Sequence, residues 1–543
     1  MAKFLPSLLA LVLGVALGIL ALATPAPAAV DASGFSALRA FADVKAVGAS
    51  PHPVTDQESL QRVRDYLRGR FRALGLEPST LRYPPLKDGS GREYPLENIA
   101  ARIPGKSGRS LLLVAHYDSA PPRRGGAEGA SRGAADDGYG LATLLEVAGL
   151  LSAAKEPLQN GVAFLFTDAE ETGLRGARSE MESDAAAWGD IDFVVNLEAR
   201  GIRGPAVMFE TGRNNAKTIE LYRSARFPFA YSFAVDVYRA MPNGTDFTVF
   251  LRKGLAGVNF SVLDDLSYYH TARDNPANVS LSSLQHYGEQ IVPIVMKYAR
   301  DGRYSAPGAF ASGGDMTYFS WLPGIFVSYP AAIASGLSVA AVLLFLLWAV
   351  TEARAGRLRA GRTLLWTLAW LLFALGALAL GLAASLLFAR IAGLPWKFTY
   401  LPGLPGYKLI PWLFLALELG AAWLLARRGA AGRGDRGSVL AGGLILDLVF
   451  LGLSHLFLPG GTFLFALPVL VGLGSASLAR VLGRPRIGLV AVSLVISLYL
   501  PVLALLDLAL TAGALGLLLF VAALPLALLG PLLVASVPPG RGT

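Results

Sequence analysis

The sequence predicts two architectures in one chain: an α/β domain on a mixed, mainly parallel sheet flanked by helices, and an all-α transmembrane helix domain. Three observations lead there. The chain has 543 residues, 53% of them hydrophobic, with a mean hydropathy of +0.49, which is too long for one ordinary domain and too apolar for a wholly soluble one. The apolar excess is concentrated from residue 331 onward, where Leu, Ala, Val and Gly dominate, whereas residues 31–305 have a mixed soluble composition. Within that soluble part, strand-like apolar runs alternate with helix-like ones, as they do when helices connect the strands of a parallel sheet.

Composition narrows the function classes. A net charge of +9 would suit nucleic acid if Lys and Arg formed a basic face, but no such stripe appears, and many arginines sit in short loops between apolar segments. No nucleic-acid partner is expected, and the lipid bilayer accounts for the basic loops. Cysteine is absent, so there is no disulfide framework and no thiolate site, and any metal must be held by His and carboxylates.

The first apolar run, Phe4 to Thr24, follows Lys3 and has the roughly 20 residues that cross a bilayer core. Residues 1–30 are therefore a transmembrane segment or signal anchor, although the small residues of "PAPAAVDAS" also fit a cleavage site. Residues 31–305 form the α/β domain, 306–330 a linker, and 331–543 a multi-span domain of about seven helices. The expected spans are 331–350, 363–387, 409–426, 439–458, 462–480, 487–506 and 510–536.

Threading these spans from a cytoplasmic Lys3 puts Arg354, Arg357, Arg359 and Arg362, then Arg427, Arg428, Arg433 and Arg436, then Arg480, Arg484 and Arg486, and finally Arg541 on the cytoplasmic side. Only Arg390, Lys397 and Lys408 fall in short loops opposite. The positive-inside rule then puts the α/β domain outside the cytoplasm of a multi-pass membrane protein. The Ala, Leu, Gly and Arg bias favours a bacterial inner membrane; in a eukaryote the equivalent is a vacuolar or endoplasmic reticulum membrane. Glu418, Asp447, His455 and Asp507 fall inside spans, where polar groups usually pair between helices or reach the interface.

In the α/β domain, Leu60, Val63, Leu67, Phe71 and Leu74 recur at helical spacing and Gly75 stops that helix. The strand-like "SLLLVAHYDS" ends on His116 and Asp118, "GVAFLFTDAEETG" on Glu170 and Glu171, and "IDFVVNLEARG" on Glu198. Asp136 and Asp137 open the helix-like "GYGLATLLEVAGLLS", and His270 lies in "DDLSYYHTARDNP". These polar residues fall beyond the carboxyl ends of strands, where parallel sheets carry their ligands.

A single His at a strand end is usually structural, and the chain has only five histidines. The set is more specific. His116, Asp136, Glu171, Glu198 and His270 offer two imidazoles and three carboxylates, a mix that suits two zinc ions sharing one bridging carboxylate. Adjacent like charges such as Glu170 and Glu171 need a compensating cation if buried; one can hold metal while Glu170 acts as general base, with Asp118 orienting the His116 ring. Asp137 suits a helix cap and Asp168 an ordinary turn residue, whereas Tyr269, Arg200 and Asp246 have no fixed role.

In order, "HYDS", "ADDGYG", "DAEETG", "NLEARG" and "YYHTARDN" resemble the co-catalytic di-zinc aminopeptidases, which include secreted bacterial leucyl aminopeptidase-like enzymes. With "GTDFTVF", "LDDLSYYHTARDNPANV" and the membrane half, the chain resembles the multi-spanning branch: vacuolar membrane proteases and endoplasmic reticulum metallopeptidases. The motifs cover residues 40–300, and the rest resembles that branch in architecture only.

The resemblance implies an α/β zinc-peptidase domain that binds two Zn2+ per chain and removes N-terminal residues from peptide substrates on the extracytoplasmic side. It also implies that Asp136 bridges the ions, that His116 and Glu198 complete one site and Glu171 and His270 the other, and that Glu170 is the base with Asp118 orienting His116. Glu198 stands where many soluble relatives carry Asp. Alternatives are another two-metal hydrolase of the same fold, a carboxypeptidase or deacylase, or a non-catalytic membrane transporter or scaffold with a peptide-binding lumenal domain.

Overall fold

Seven strands form one sheet: β1 (Ser79–Lys87), β2 (Glu93–Ile103), β3 (Ser110–His116), β4 (Gly161–Thr167), β5 (Ile191–Ala199), β6 (Val207–Thr211) and β7 (Ala256–Val262). Their spatial order is β1-β2-β4-β3-β5-β7-β6. The central strands β4, β3, β5 and β7 run parallel, and antiparallel β1, β2 and β6 extend the two edges. The structure, a computed structural model, describes residues 4–122, 129–154, 156–183, 188–311, 313–399, 401, 407–430 and 436–537. Lys3, Arg433 and Arg541, used above to orient the chain, lie outside the described residues.

Strands β3 and β4 are buried at every position, as expected when helices cover both faces of a parallel sheet. Side chains alternate between the faces. Leu111, Leu113 and Ala115 enter one core with helices Ala37–Val47, Gln57–Ala73, Gly138–Ser152 and Leu281–Arg300, whereas Leu112 and Val114 enter a second with Arg175–Ser183 and Asp246–Arg252. Chain order changes direction around β3, which has β4 on one side and β5 on the other, and this opens a crevice at the carboxyl ends of these strands.

Residues 306–330, expected as a linker, contain a hairpin of β8 (Met316–Leu322) and β9 (Ile325–Pro330). Tyr318 and Phe310 are buried in the main core, and Ser232 Oγ donates to the Tyr318 carbonyl at 3.0 Å. The aromatic side chains in this stretch have apolar area to bury, and burying it holds the segment on the domain. The first compact unit accordingly runs from Ala23 to Pro330.

The second unit combines Met1–Leu22 with Ala331–Thr543. Among its described residues, six helical stretches are long and apolar enough to cross a membrane, and the last, Pro485–Ser536, comprises two α-helices, Gly488–Leu510 and Leu515–Ser536. The N-terminal helix Leu5–Ala21 has 17 residues, fewer than the Phe4–Thr24 run suggested. It lies close against Gly488–Leu510: a Cβ on Gly14 would be 2.9 Å from the Ser493 carbonyl oxygen, and one on Gly18 would be 2.7 Å from Leu500 Cβ. Small residues four apart permit such an approach between apolar helices. Of the polar residues expected in the spans, His455 Nε2 pairs with Ser338 Oγ at 2.9 Å, and Tyr407 donates to Asp507 at 3.0 Å.

His286, on helix Leu281–Arg300, is fully buried. Its Nδ1 accepts the Ala206 N–H at 3.0 Å, and its Nε2 lies 2.7 Å from the Phe227 carbonyl, to which it donates. The ring is therefore neutral. Burial drives its pKa down to about 4, against a weaker upward pull from the Phe227 carbonyl, and burial does the same to His52. A depressed imidazole pKa contributes stability that is fully present above about pH 6.5 and is lost as pH falls towards 4. Thermal unfolding between pH 7.5 and 4.5 should show that loss, up to about 3 kcal/mol for His286. His286→Gln should reduce the acid sensitivity without removing the share due to His52, and an unchanged profile would rule out a buried neutral His286.

Candidate metal centre

The site lies where the central strands end. His116 is the last residue of β3 and is aligned with Thr167 at the end of β4, so the loop leaving β4 brings Glu170 and Glu171 towards it. Glu198 comes from β5 on the other flank of β3. Asp136 and Asp137 precede helix Gly138–Ser152; Asp137 accepts the Gly140 N–H at 2.9 Å, the capping role expected from sequence. His270 follows β7 in a loop with left-handed backbone, φ 59°, and Ala169 just before the glutamate pair has φ 57°. Such conformations are unusual for residues with a Cβ and collect where side chains are aimed for function.

The structure brings all five expected donors together. Asp136 belongs to two groups of convergent donor atoms, one with His116 and Glu198 and one with Glu171 and His270, each within 4.8 Å. Its Oδ1 is 3.1 Å from His116 Nε2, and its Oδ2 is 3.3 Å from His270 Nε2. His270 Nε2 also lies 2.9 Å from a Glu171 oxygen. Despite these distances His270 Nε2 is buried without a hydrogen-bond partner among the described residues, and so is Glu171 Oε1, the other oxygen of the carboxylate beside it. A nitrogen and carboxylates that crowd one point without bonding to each other fit a cation at that point.

Electrostatics points the same way. Among the described residues, no Lys or Arg forms an ion pair with Asp136, Glu170, Glu171 or Glu198. Burial pushes the Glu198 carboxyl up to about 8 and Glu171 up to about 7, with Asp136 adding to both, and raises Glu170 well above the carboxylate range. The imidazoles move with them: although burial opposes it, the surrounding carboxylates raise His270 to about 9 and His116 well above its ordinary value. Asp136 is held low because its two imidazole neighbours outweigh its burial. This donor set needs positive charge, and its N/O composition suits zinc.

Asp118 departs from the expected geometry. His116 Nδ1 pairs with the Asp118 main-chain carbonyl at 3.0 Å, and the Asp118 carboxylate is farther away, at 3.4 Å. That carboxylate instead accepts the N–H groups of Glu170 at 2.9 Å and Glu171 at 3.3 Å. Asp118 thereby fixes the ring with its backbone and the glutamate loop with its side chain. Asp168, expected as a turn residue, is buried and receives Arg64 Nη2 at 2.6 Å. Asp246 is buried against Thr167, with Oγ1 donating at 2.5 Å.

Sequence reasoning missed Asp274, although it lies in the quoted "HTARDN". Its carboxylate accepts the Ala135 N–H at 2.7 Å and the Ser131 hydroxyl at 2.9 Å, with the Asp136 N–H at 3.4 Å. The signal was its position four residues beyond His270, but nothing in one dimension pairs it with residue 135.

Residues 98–295 match the profile of Peptidase family M28. The chain is 30% identical over 261 residues to endoplasmic reticulum metallopeptidase 1 of Rattus norvegicus, an alignment covering 46% of this chain and 28% of that protein. It is 30% identical over 259 residues to the vacuolar membrane protease of Candida dubliniensis, covering 45% and 26%. The chain thus spans under a third of the length of these curated relatives. A Zn-dependent exopeptidase from Parabacteroides distasonis superposes with TM-score 0.38 at 19% identity, covering 48% of this chain and 98% of that one.

Replacing Asp274 with Ala should loosen the loop that carries Asp136. Zinc affinity, read by competition with a chromogenic chelator, should fall about 10–100-fold while far-UV circular dichroism is preserved. Wild-type zinc retention in that variant would show that Asp274 does not position the donor.

Proposed function

With residues 98–295 matching Peptidase family M28, we propose that this chain is a membrane-anchored, zinc-dependent exopeptidase that removes N-terminal residues from peptides on the extracytoplasmic side of its membrane. One observation carries the reading: the two oxygens of Asp136 face different imidazoles, His116 and His270, so this one carboxylate could serve both donor groups. In this reading Asp136, His116 and Glu198 would hold one zinc ion, and Asp136, Glu171 and His270 would hold the other. The bound ions would supply Lewis acidity, easing ionisation of a water and polarising the scissile carbonyl.

The chain's own residues handle the proton. Glu170 lies within 4.8 Å of donor atoms of both His116 and Glu171, close enough to serve a nucleophile at that centre. Its carboxylate takes the proton from the attacking water and returns it to the leaving amine nitrogen. Its backbone N–H is anchored on Asp118, which limits the wandering of the side chain during transfer. The extracytoplasmic assignment is supported by the arginine distribution, with Arg354, Arg427, Arg428 and Arg480 in the last turns of their helices and Arg357 and Arg484 in the connections that follow, all on the opposite side of the threading from residues 31–305.

Glu170→Gln should lower kcat by about 10^2–10^4-fold while leaving zinc content at the wild-type level. Unchanged turnover would remove Glu170 from the chemistry. Chelation should abolish hydrolysis, and zinc should restore it. An amino-acid anilide should be cleaved and its N-acetylated form resist; equal cleavage of both would replace the aminopeptidase reading with another two-metal hydrolase.

A further inference from the structure

Within the helical unit, one end of the bundle carries a half-open cavity of about 700 Å3, formed where helices Ala331–Arg354, Ile410–Ala430, Phe463–Val481 and Leu515–Ser536 end and their neighbours begin. Trp348, Leu440 and Leu532 contribute apolar wall; Arg357 reaches it from the connection after Ala331–Arg354, Arg436 from the first turn of Arg436–Phe457 and Arg480 from the last turn of Phe463–Val481. Between the arginines lies Glu352, only 1% exposed. Arg357 Nε donates to Glu352 Oε2 at 3.0 Å and Arg480 Nη2 donates to the same oxygen at 2.6 Å.

A carboxylate this buried must be paired, and this one has two guanidinium partners. The pairing fixes both arginines and leaves one positive charge uncancelled. Arg436 adds a second, since it has no carboxylate partner among the described residues. Glu352 thus acts as an organiser, and the surplus charge is available to a ligand. Guanidinium forks match the oxygens of a phosphate, and a cavity of this size is in the range of small-molecule sites, about 300–1,000 Å3.

We propose that this cavity binds an anionic glycerophospholipid, its phosphate held by Arg436, Arg480 and Arg357 and its acyl stem lying along Trp348, Leu440 and Leu532. A lipid is favoured over a soluble phosphate for two reasons. The cavity lies at the ends of span-length helices, the level at which headgroups sit, and its apolar wall would be left uncovered by a free anion.

The test uses the full chain purified in neutral detergent, with phosphatidylglycerol, phosphatidylcholine, inorganic phosphate and glycerol 3-phosphate as probes. Native mass spectrometry should show one phosphatidylglycerol retained per chain and little phosphatidylcholine. Arg436→Gln, which leaves the Glu352 pairings intact, should weaken retention about fivefold, whereas Arg428→Gln, the same charge change outside the cavity lining, should not. Ala479→Trp, which fills the cavity with every charge in place, should also displace the lipid. Equal loss in Arg436→Gln and Arg428→Gln, or full retention in Ala479→Trp, would overturn the site. Thermal stabilisation by inorganic phosphate or glycerol 3-phosphate matching that by phosphatidylglycerol would overturn the lipid as its occupant.

Discussion

Four carboxylates and two imidazoles converge at the carboxyl end of a buried parallel sheet with no lysine or arginine paired to them among the described residues, and every other feature of the site answers to that repulsion. Burial first, and then the Asp136 charge beside them, make Glu171 and Glu198 resist ionising, and the rise in their pKa values expresses that resistance. A fold keeps such a cluster only if the surroundings over-determine it. Here they do so through main-chain anchors: Asp118 holds two amides of the glutamate loop, and Asp274 holds the loop before Asp136.

Sheet topology converts separated motifs into one cluster. Because β3 lies between β4 and β5, the end of β3 has the exit loops of both neighbours beside it, and the connection after β7 closes the remaining side. His116 and His270 are 154 positions apart in sequence yet share the two oxygens of one carboxylate. Buried leucines along β3 and buried valines and phenylalanines along β4 and β5 pack those strands on both faces, which restrains the side chains at their ends.

What was legible in the sequence was whatever has a local signature. Apolar runs ending on His or Glu marked the strands and the donors together, and span-length apolar stretches marked the helices from residue 331 onward. Partners chosen in three dimensions were not legible. Asp168 looks like a turn residue because its ion pair with Arg64 joins positions 104 apart, and the same pairing has Tyr117 donate to the Glu97 carbonyl beside it. The hairpin Met316–Pro330 lies in the stretch expected as a linker, and its strand character becomes clear only with the core that receives Tyr318. Asp118 faces His116 Nδ1 with its backbone carbonyl at 3.0 Å and its carboxylate at 3.4 Å, a division that spacing does not carry.

Glu198 shows how one substitution is absorbed. The soluble peptidases that the motifs resemble often carry Asp there, and the extra methylene gives this carboxylate a longer reach and one more rotor. Restraint comes from below: Asn196 Nδ2 donates to Glu198 Oε1 at 3.1 Å and is itself within 3.0 Å of Asn259 Oδ1. Asn259 Nδ2 in turn donates to Glu210 at 3.0 Å and to Thr245 at 2.9 Å. This row of amides crosses from β5 to β7 and β6, so the position of Glu198 is tied to the sheet rather than to a loop. A longer side chain held by a fixed amide keeps its oxygen in place, so the extra methylene lengthens the reach of Glu198 without freeing it from the sheet.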